Sequence, residues 1–344
     1  MKTAFLYAGQ GSQHAGMGAD LYRDYPEFRR IFDEVSEGLQ KHNTDDKNYD
    51  LCRLCFDDPD GVINETRYTQ PAMVAFACGV TEILKVHGIR PDYAAGLSLG
   101  EYSALEAAEV MDPETAVQMV AFRGQKMAEA SEGVDCGMTA VLGMNEDELE
   151  DCCEKVRKDS GKIVSICNYN CPGQIVIGGE KEAVDKVTEL ASGFDKVRCI
   201  PLKVSGPFHT SYMASAGSAL EEYFKNIRMN RPKCDVLFNF LGDESEAVSA
   251  SVNSTTATTA AAFRKAIPEL LVSQVQKPVR MESIIRKLFS KGVTDFVEIG
   301  PGHTLSGFVK KVAKDMGIKE FSISTVETSE DIEKLTSDKE RNNE

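Results

Sequence analysis

The sequence YAAGLSLGE at residues 93–101 decides the fold of this chain. The apolar run before Gly96 predicts a buried strand, and the residues from Gly100 onward have the apolar spacing of a helix. A Gly-x-Ser-x-Gly sequence between a strand and a helix is typical of a nucleophile elbow, a tight turn that exposes its serine. The helix that follows directs its positive end and the Leu99 amide toward a developing oxyanion. We therefore predict an α/β fold with Ser98 as a nucleophile; the alternative is a chance match in a glycine-containing turn.

Apolar runs and helix-terminating residues predict further elements on both sides of this elbow. Residues 3–8 form a short apolar run that leads into the sequence GQGSQ at residues 9–13. This pattern indicates a buried strand followed by a glycine-rich loop. The same kinds of signal predict a helix from near Pro71 to Gly88, a helix that starts at Asp112-Pro113, and a last strand at residues 295–299.

Residues 137–204 follow a different pattern. They read as strand, helix, strand, strand, helix and strand, the order of the ferredoxin-like split motif. We therefore predict a small ferredoxin-like subdomain at residues 135–204. It interrupts a large α/β domain made of residues 1–134 and 205–326.

Two segments lack the pattern of core elements. Residues 247–262 are almost entirely Ser, Thr, Ala, Val and Asn, which predicts a surface insertion or a loop. Residues 327–344 form a charged tail that we expect to be frayed.

Charge and composition exclude several classes of protein. The 344 residues carry 39 Lys and Arg against 54 Asp and Glu, a formal net charge of −15, which argues against a nucleic-acid partner. No apolar run approaches the length of a membrane span or of a signal peptide, so we expect a cytoplasmic protein without a membrane partner. Ten cysteines in such a chain predict reduced thiols. The single pair Cys52-x-x-Cys55 lacks a second half-site, so no metal site is predicted.

A serine nucleophile needs a base, and the chain has five histidines. His14, His42, His87 and His303 lie in loops, polar stretches or helix ends, where ordinary surface roles explain them. His209 lies in the sequence VSGPFH at residues 204–209, where the chain leaves the small subdomain, so it is the candidate base. No acid between Ser98 and His209 is identifiable as a third triad member, which argues against an ordinary esterase.

Arg123 is the second informative residue, because it lies on the apolar stripe of the helix that starts at Pro113. A permanent charge in that position requires a partner. One interpretation is an internal salt bridge to a carboxylate of the protein. The other is a fork that binds a substrate carboxylate through two parallel hydrogen bonds. The spacing alone favours neither.

Together these motifs resemble the malonyl-CoA:acyl carrier protein transacylase family, over about residues 3–325. The resemblance depends on eight motifs in the family's order: GQGSQ at 9–13, QPA at 70–72, GLSLGEY at 96–102, Arg123-Gly124, NYNCPGQ at 168–174, GPFH at 206–209, Gln274 four residues before Pro278-Val279, and EIGPG at 298–302. It implies a hydrolase-like α/β core with a parallel sheet that carries a ferredoxin-like subdomain.

The resemblance also implies a role for each matching position. Ser98 is the nucleophile and His209 its base, and Gln274 orients His209 through its backbone carbonyl. The backbone amides of Gln10 and Leu99 form the oxyanion hole. The remaining candidates contact the substrate: Arg123 binds the malonyl carboxylate, Gln70 lines the acyl pocket, Phe208 forms a wall that favours malonyl over branched groups, and Asn170 makes a supporting contact.

Two positions depart from the family's pattern. Leu97 stands where many members carry histidine, and Met281 replaces a common tryptophan. Neither departure removes a catalytic role. The implied reaction is ping-pong transfer of malonyl from malonyl-CoA to the phosphopantetheine thiol of acyl carrier protein for fatty-acid synthesis, with CoA as product. The resemblance implies no tightly bound cofactor, no metal and a monomer.

Three alternatives remain open at this stage: a trans-acting acyltransferase of a polyketide pathway, a serine thioesterase or hydrolase of the same fold, and an inactive carrier-binding protein. Because acyl carrier proteins and this chain are both acidic, docking requires a local basic surface. The candidate docking residues are Arg280, Arg286, Lys287, Lys310, Lys311 and Lys314, for which ordinary solvated helix faces are the alternative.

Overall fold

The computed structural model describes residues 1–252 and 256–343, which build two sheets and the helices around them. The strands are β1 (Lys2–Tyr7), β2 (Tyr93–Gly96), β3 (Cys136–Leu142), β4 (Val164–Cys171), β5 (Gln174–Glu180), β6 (Arg198–Pro201), β7 (Asp235–Phe238), β8 (Asp243–Glu244), β9 (Val279–Arg280), β10 (Val293–Ile299) and β11 (Ser322–Val326). The α-helices are α1 (Ala19–Asp24), α2 (Pro26–His42), α3 (Thr66–Val86), α4 (Gly100–Ala107), α5 (Pro113–Ser131), α6 (Glu146–Ser160), α7 (Lys181–Ser192), α8 (Ala214–Phe224), α9 (Glu246–Val252), α10 (Ala257–Gln276), α11 (Met281–Ser290), α12 (Thr304–Asp315) and α13 (Ser329–Asn343).

The larger sheet has the strand order β11-β10-β1-β2-β7-β8. Its pairs are parallel from β11 to β7, and β8 alone is antiparallel to its neighbour β7. Because helices cover both faces of a parallel sheet, the neighbouring strands β1 and β2 are apolar over most of their length. The apolar run predicted at residues 3–8 accordingly forms β1, which is buried from Thr3 to Tyr7. The parallel sheet and the mixed α/β class are therefore as predicted.

The helices of this part begin for local reasons. Helix α5 starts where Asp112 accepts a hydrogen bond from the Thr115 amide and Pro113 takes the first helical position. Helix α3 begins at Thr66, earlier than the position of Pro71 suggests, and Pro71 lies inside it. Because Pro71 lies past the first turn, it leaves the Arg67 carbonyl without its helical hydrogen-bond donor. Helix α3 is buried over most of its length and packs against α5.

The smaller sheet has the order β6-β3-β5-β4-β9. Strands β3, β4, β5 and β6 pair in antiparallel fashion, and α6 and α7 supply the apolar side chains of a separate small core. Strand β9 joins the edge of β4 in parallel, with Asn168 opposite Val279. Because β9 lies far outside residues 135–204 in the chain, it ties this sheet to the rest of the molecule.

The structure corrects the two predictions of irregular segments. Residues 327–344 are not a frayed tail, because residues 329–343 form α13. Ile332 and Leu335 are three positions apart on this helix and both are buried, while Lys339 forms a salt bridge with Asp295. The high charge of the segment obscured this apolar pair.

The Ser/Thr/Ala-rich segment at 247–262 also differs from the prediction. Its described parts belong to α9 and to the start of α10. Val248 and Ser251 of α9 are buried, so small side chains there still contribute to packing. Residues 253–255 of the predicted loop lie outside the described residues.

Two further observations concern membrane spans and cysteines. Within residues 1–252 and 256–343, no helix combines the length and the apolar character that a bilayer crossing requires. All ten cysteines, Cys52 and Cys55 included, are free thiols.

Candidate active site

Ser98 lies on the sharp turn between β2 and α4. Its backbone is in the left-handed region, with φ of 52°, which is uncommon for a residue with a side chain. The turn closes because Gly96 has no side chain: a Cβ atom there would lie 1.9 Å from the carbonyl carbon of Gly100. The structure therefore forms the predicted elbow and projects Ser98 from the carboxyl end of a parallel strand.

His209 lies beside this serine, although 111 positions separate the two residues in the chain. The Nε2 atom of His209 is 2.8 Å from Ser98 Oγ, and Nδ1 is 2.8 Å from the backbone carbonyl oxygen of Gln274. A carbonyl oxygen can only accept, so Nδ1 carries the proton and Nε2 is left to accept from the serine hydroxyl. A carbonyl thus occupies the position of the acid in an ordinary triad.

The surroundings of His209 keep its imidazole neutral. Burial of the ring, together with the smaller effect of the positive charge of Arg123, lowers the pKa of His209 to about 4. A neutral imidazole at physiological pH is the form that accepts a proton. The arrangement therefore suits a general base.

Arg123 is buried, with 1% of its surface exposed, and its guanidinium reaches the serine. Its Nη2 atom is 3.2 Å from Ser98 Oγ and 3.1 Å from Oε1 of Gln274, and its Nη1 atom is 2.7 Å from Oε1 of Gln70. All three partners are uncharged. Among the described residues no carboxylate forms an ion pair with Arg123, and its Nε donor is buried without a partner. The internal salt bridge, one of the two interpretations of Arg123, is therefore not formed.

Gln70 and Gln10 belong to the same hydrogen-bonded group. Gln70 is fully buried on α3 and donates from Nε2 to the hydroxyl of Thr66, at 2.9 Å. The Thr66 hydroxyl donates in turn to Oε1 of Gln10 in the glycine-rich loop, at 2.8 Å. In the described part of the chain, the backbone amides of Gln10 and Leu99 donate no hydrogen bond to a protein atom. Both amides are thus free to bind an oxyanion.

The sequence of this chain matches a known protein family over most of its length. The family model described as acyl transferase domain matches residues 4–339. The chain belongs to this acyl transferase family. It is 40% identical over 329 residues to a malonyl CoA-acyl carrier protein transacylase of Bacillus subtilis, with 96% of this chain and 95% of the relative covered. The resemblance stated from the sequence motifs is therefore confirmed.

Solved structures of acyl transferases agree with this assignment. A malonyl CoA-acyl carrier protein transacylase from Clostridium perfringens superposes with a TM-score of 0.85 at 37% identity, covering 99% of this chain and 98% of the other. A malonyl-transacylase in complex with a type II PKS acyl-carrier protein superposes with a TM-score of 0.84 at 31% identity, covering 98% and 100%.

Asn239 is a residue of this acyl transferase that the sequence analysis missed. Its Oδ1 atom accepts from the backbone amide of Ser98 at 2.6 Å, and its Nδ2 atom donates to the carbonyl of Gly96 at 2.7 Å. Its own amide donates to Oε2 of Glu101 at 2.6 Å. Asn239 thus holds the elbow on both sides of Leu97. Asn239 directly follows β7, the neighbour of the strand that leads into the elbow. Functional residues often lie at the carboxyl ends of parallel strands, and this position was the signal that could have identified Asn239.

Glu101, the residue that anchors Asn239, is fully buried and its Oε1 atom has no partner in the described structure. Burial raises the pKa of the Glu101 carboxyl to about 8. Within the described residues no ion pair joins this carboxyl to Arg123, and its raised pKa favours the neutral form. This acid beside the site therefore leaves the guanidinium charge available to a ligand.

The remaining predicted positions contribute less directly. Phe208 is buried next to His209, and its ring lies against Gly206. Asn170 is buried at an irregularity of β4, where its Oδ1 atom has no partner, and no hydrogen bond in the described structure joins it to Ser98, His209 or Arg123. Leu97 packs against the core cluster of the larger sheet, and Met281 is fully buried at the start of α11.

Metal ligation has no support in this site. The described residues contain no cluster of three or more His, Cys, Asp or Glu that could hold a metal ion.

Proposed function

We propose that this acyl transferase moves a malonyl group from malonyl-CoA to the phosphopantetheine thiol of acyl carrier protein, by a ping-pong reaction through malonyl-Ser98, and so supplies fatty-acid synthesis. One observation carries the proposal: a buried guanidinium, without a carboxylate partner in the described structure, lies 3.2 Å from the serine oxygen. A substrate carboxylate next to the reacting carbonyl would supply the missing charge.

The first half-reaction uses the residues already described. Ser98 Oγ attacks the thioester carbonyl carbon while its proton passes to Nε2 of His209. The carbonyl oxygen becomes an oxyanion that the amides of Gln10 and Leu99 bind, each donor contributing about 10²- to 10³-fold. The C–S bond then breaks and His209 returns the proton to the sulfur, so that CoA leaves as a thiol.

The second half-reaction reverses these steps with another thiol. The phosphopantetheine sulfur gives its proton to His209 and attacks the ester carbonyl, and the C–O bond to Ser98 breaks as His209 protonates the serine. The enzyme contributes only its own side chains and backbone amides to this scheme. The proposal therefore includes no tightly bound cofactor, with malonyl-CoA as substrate and CoA as product.

The relatives support the choice of substrate and acceptor. Bacterial relatives at 35% to 40% identity carry the name malonyl CoA-acyl carrier protein transacylase, over 95% or more of this chain. One structural relative forms a complex with an acyl-carrier protein of a type II PKS. The proposed acceptor is a fatty-acid carrier protein. Malonylation of a polyketide carrier protein in its place would contradict this choice of acceptor.

Intact-mass spectrometry tests the proposal directly. After mixing with malonyl-CoA, the protein should gain the mass of one malonyl group, and holo acyl carrier protein should then remove that mass and become malonylated. Acetyl-CoA should label the protein far less. Rapid release of free malonate while carrier thiol is present would show a hydrolase instead, and absence of any adduct would indicate an inactive carrier-binding protein.

The neutral base predicts an unusual pH profile. Because the pKa of His209 is lowered to about 4, His209 stays unprotonated when the pH falls below 6.5, the ordinary pKa of a histidine. We expect the rate of Ser98 acylation by malonyl-CoA to stay constant from about pH 7.5 to 5.5 and to fall only as the pH nears that lowered pKa. Stopped-flow acylation, with unfolding followed at each pH, measures this. A fall centred near pH 6.5 in folded protein would contradict the assignment.

The predicted docking residues divide into three groups. Arg286 lies 2.7 Å from Glu282 and 2.5 Å from Asp315, and Lys287 lies 3.0 Å from Asp243, so their charges are already neutralised. Lys310, Lys311 and Lys314 are exposed on α12 and form no ion pair within the described residues. Arg280 stacks on the ring of Tyr169. We propose that the basic face of α12, defined by these three lysines, docks the acidic carrier protein.

Reversing the basic face of α12 should separate the two substrates. The triple change Lys310→Glu, Lys311→Glu and Lys314→Glu is expected to raise the KM for carrier protein by about fivefold to fiftyfold, because charged rim contacts contribute about 0.2 to 1 kcal/mol each. The KM for malonyl-CoA should not change. Reversing the exposed residues Lys155, Lys233 and Lys334, which also form no ion pair within the described residues, makes the same change in net charge and serves as the control. Equal effects of the two triples would reject the docking face.

The finer description of the fold is also part of this proposal. We propose that the smaller sheet is a ferredoxin-like subdomain, spanning residues 135–204, on a hydrolase-like core. The antiparallel order β6-β3-β5-β4, with α6 and α7 as the crossovers, supports it. A cytoplasmic location is proposed because all ten cysteines are free thiols, as a reducing compartment favours.

A further inference from the structure

Thr66 connects two parts of the site that have different tasks. It is 2% exposed, at the start of α3, and its hydroxyl lies between the side chains of Gln10 and Gln70. Gln10 belongs to the glycine-rich loop, and the backbone amide of Gln10 is a proposed oxyanion donor. Gln70 contacts Arg123, the proposed carboxylate-binding residue. The Thr66 hydroxyl is thus the link between the oxyanion hole and the carboxylate site.

The guanidinium determines the direction of the first two hydrogen bonds in this chain of contacts, from Arg123 to Gln70 and from Gln70 to Thr66. Arg123 can only donate, so Oε1 of Gln70 must accept and Nε2 of Gln70 must face Thr66. The Thr66 oxygen therefore accepts from Gln70, and its single hydrogen points to Oε1 of Gln10. The amide of Gln70 cannot flip without placing its NH2 group against the guanidinium of Arg123, which can only donate. Hydrogen bonds aligned in this way polarise one another.

The backbone around Thr66 has little freedom to compensate. Thr66 and Gln70 are four residues apart, on one face of α3. A Cβ atom on Gly124 would lie 2.8 Å from the backbone oxygen of Thr66, so α5 approaches the start of α3 closely just after Arg123. Without the hydroxyl, Nε2 of Gln70 keeps only the Met127 sulfur, at 3.4 Å. The side chain of Gln10 would lose its contact with α3.

We propose that Thr66 is a positioning residue that couples recognition of the substrate carboxylate at Arg123 to the placement of the oxyanion donor at Gln10. This inference rests on the proposed malonyl transfer. A charged acyl group that engages Arg123 fixes the position of the guanidinium, and through Gln70 and Thr66 this holds the glycine-rich loop in place for attack. An uncharged acyl group lacks this contact, so Thr66 contributes less to its reaction.

Substitution of Thr66 by valine removes the hydroxyl and keeps the shape. We expect Thr66→Val to lower kcat/KM for malonyl-CoA by about tenfold to a hundredfold, within the range for leaving a buried polar group without its hydrogen bond. The loss for acetyl-CoA should be several times smaller. Thr66→Ser, which restores the hydroxyl, should recover most of the activity and of the malonyl preference.

Thr69→Val is the matched control, because Thr69 is equally buried on α3 and its hydroxyl donates to backbone carbonyls of Ile63 and Glu65. It should lower the melting temperature without changing the ratio of malonyl to acetyl activity. Gln10→Leu, in a half-buried loop, removes the other end of the contact and should reproduce the Thr66→Val selectivity even if that variant folds poorly.

Three results would overturn the inference: equal losses for malonyl-CoA and acetyl-CoA in Thr66→Val and Gln10→Leu, full malonyl activity in both, or the same change of ratio in Thr69→Val. Failure of the proposed function is separate, since it would appear in the unsubstituted protein as absence of the malonyl adduct.

Discussion

Replacement of Ser98 by alanine is expected to abolish the malonyl adduct and to lower malonyl transfer by about 10⁴- to 10⁶-fold, because a nucleophile that acts together with its base has no substitute. The variant should fold, since the Ser98 hydroxyl lies at the site and the elbow is held through the backbone by Asn239 and Gln274. Intact-mass spectrometry measures the adduct, and the carrier-protein assay measures transfer.

Ser103→Ala is the control for this experiment. Ser103 is buried on α4, five positions after Ser98, and lies outside the hydrogen-bonded group of the site. This control should keep both the adduct and the transfer rate. A Ser98→Ala protein that still acquires the malonyl mass at the original rate would place the nucleophile elsewhere.

Replacement of Arg123 by methionine should invert the acyl preference. Two charge-assisted hydrogen bonds to a malonyl carboxylate, each contributing about 1.5 to 3 kcal/mol, correspond to a loss of about 10²- to 10⁴-fold in kcat/KM for malonyl-CoA. Acetyl-CoA should lose much less, because an uncharged acyl group leaves the desolvated guanidinium unpaired in the original protein. Rates with both thioesters, measured on the same preparation, give the ratio.

Arg123→Lys separates charge from geometry. Lysine keeps the positive charge but cannot form the planar fork, so this variant should recover only part of the malonyl activity. Arg157→Met removes a half-buried arginine that binds Glu150 on α6 and should leave the preference unchanged. If Arg123→Met lowers malonyl and acetyl rates by the same factor, Arg123 supports the structure of the site and does not select the substrate.

Removal of the Arg123 charge has a second consequence, at His209. The guanidinium lowers the pKa of His209 in addition to the larger effect of burial. In Arg123→Met that pKa should therefore rise, and the acid limb of the acylation profile should move to higher pH. This shift depends on electrostatics alone and accompanies the change of preference.

Patterns between near neighbours in the chain were sufficient for much of the fold. The elbow at residues 93–101 and the β1 run were both predicted with the correct element types. The apolar stripe also placed Arg123 on the buried face of α5, but it did not identify the groups that contact Arg123. The apolar pair Ile332 and Leu335 was missed because charged residues surround it, and its burial depends on packing against a distant part of the chain.

By itself, then, the sequence determined the elbow, the order of strands and helices over residues 137–204, and, through its eight motifs, the family. These follow from backbone conformation and side-chain periodicity, which involve residues only a few positions apart. Only the tertiary structure decided that Arg123 has no carboxylate partner among the described residues, that Asn239 holds the Ser98 amide, and that Thr66 joins Gln10 to Gln70. Such contacts join residues up to 176 positions apart, as between Gln274 and Ser98, and they depend on how whole helices pack onto the sheet.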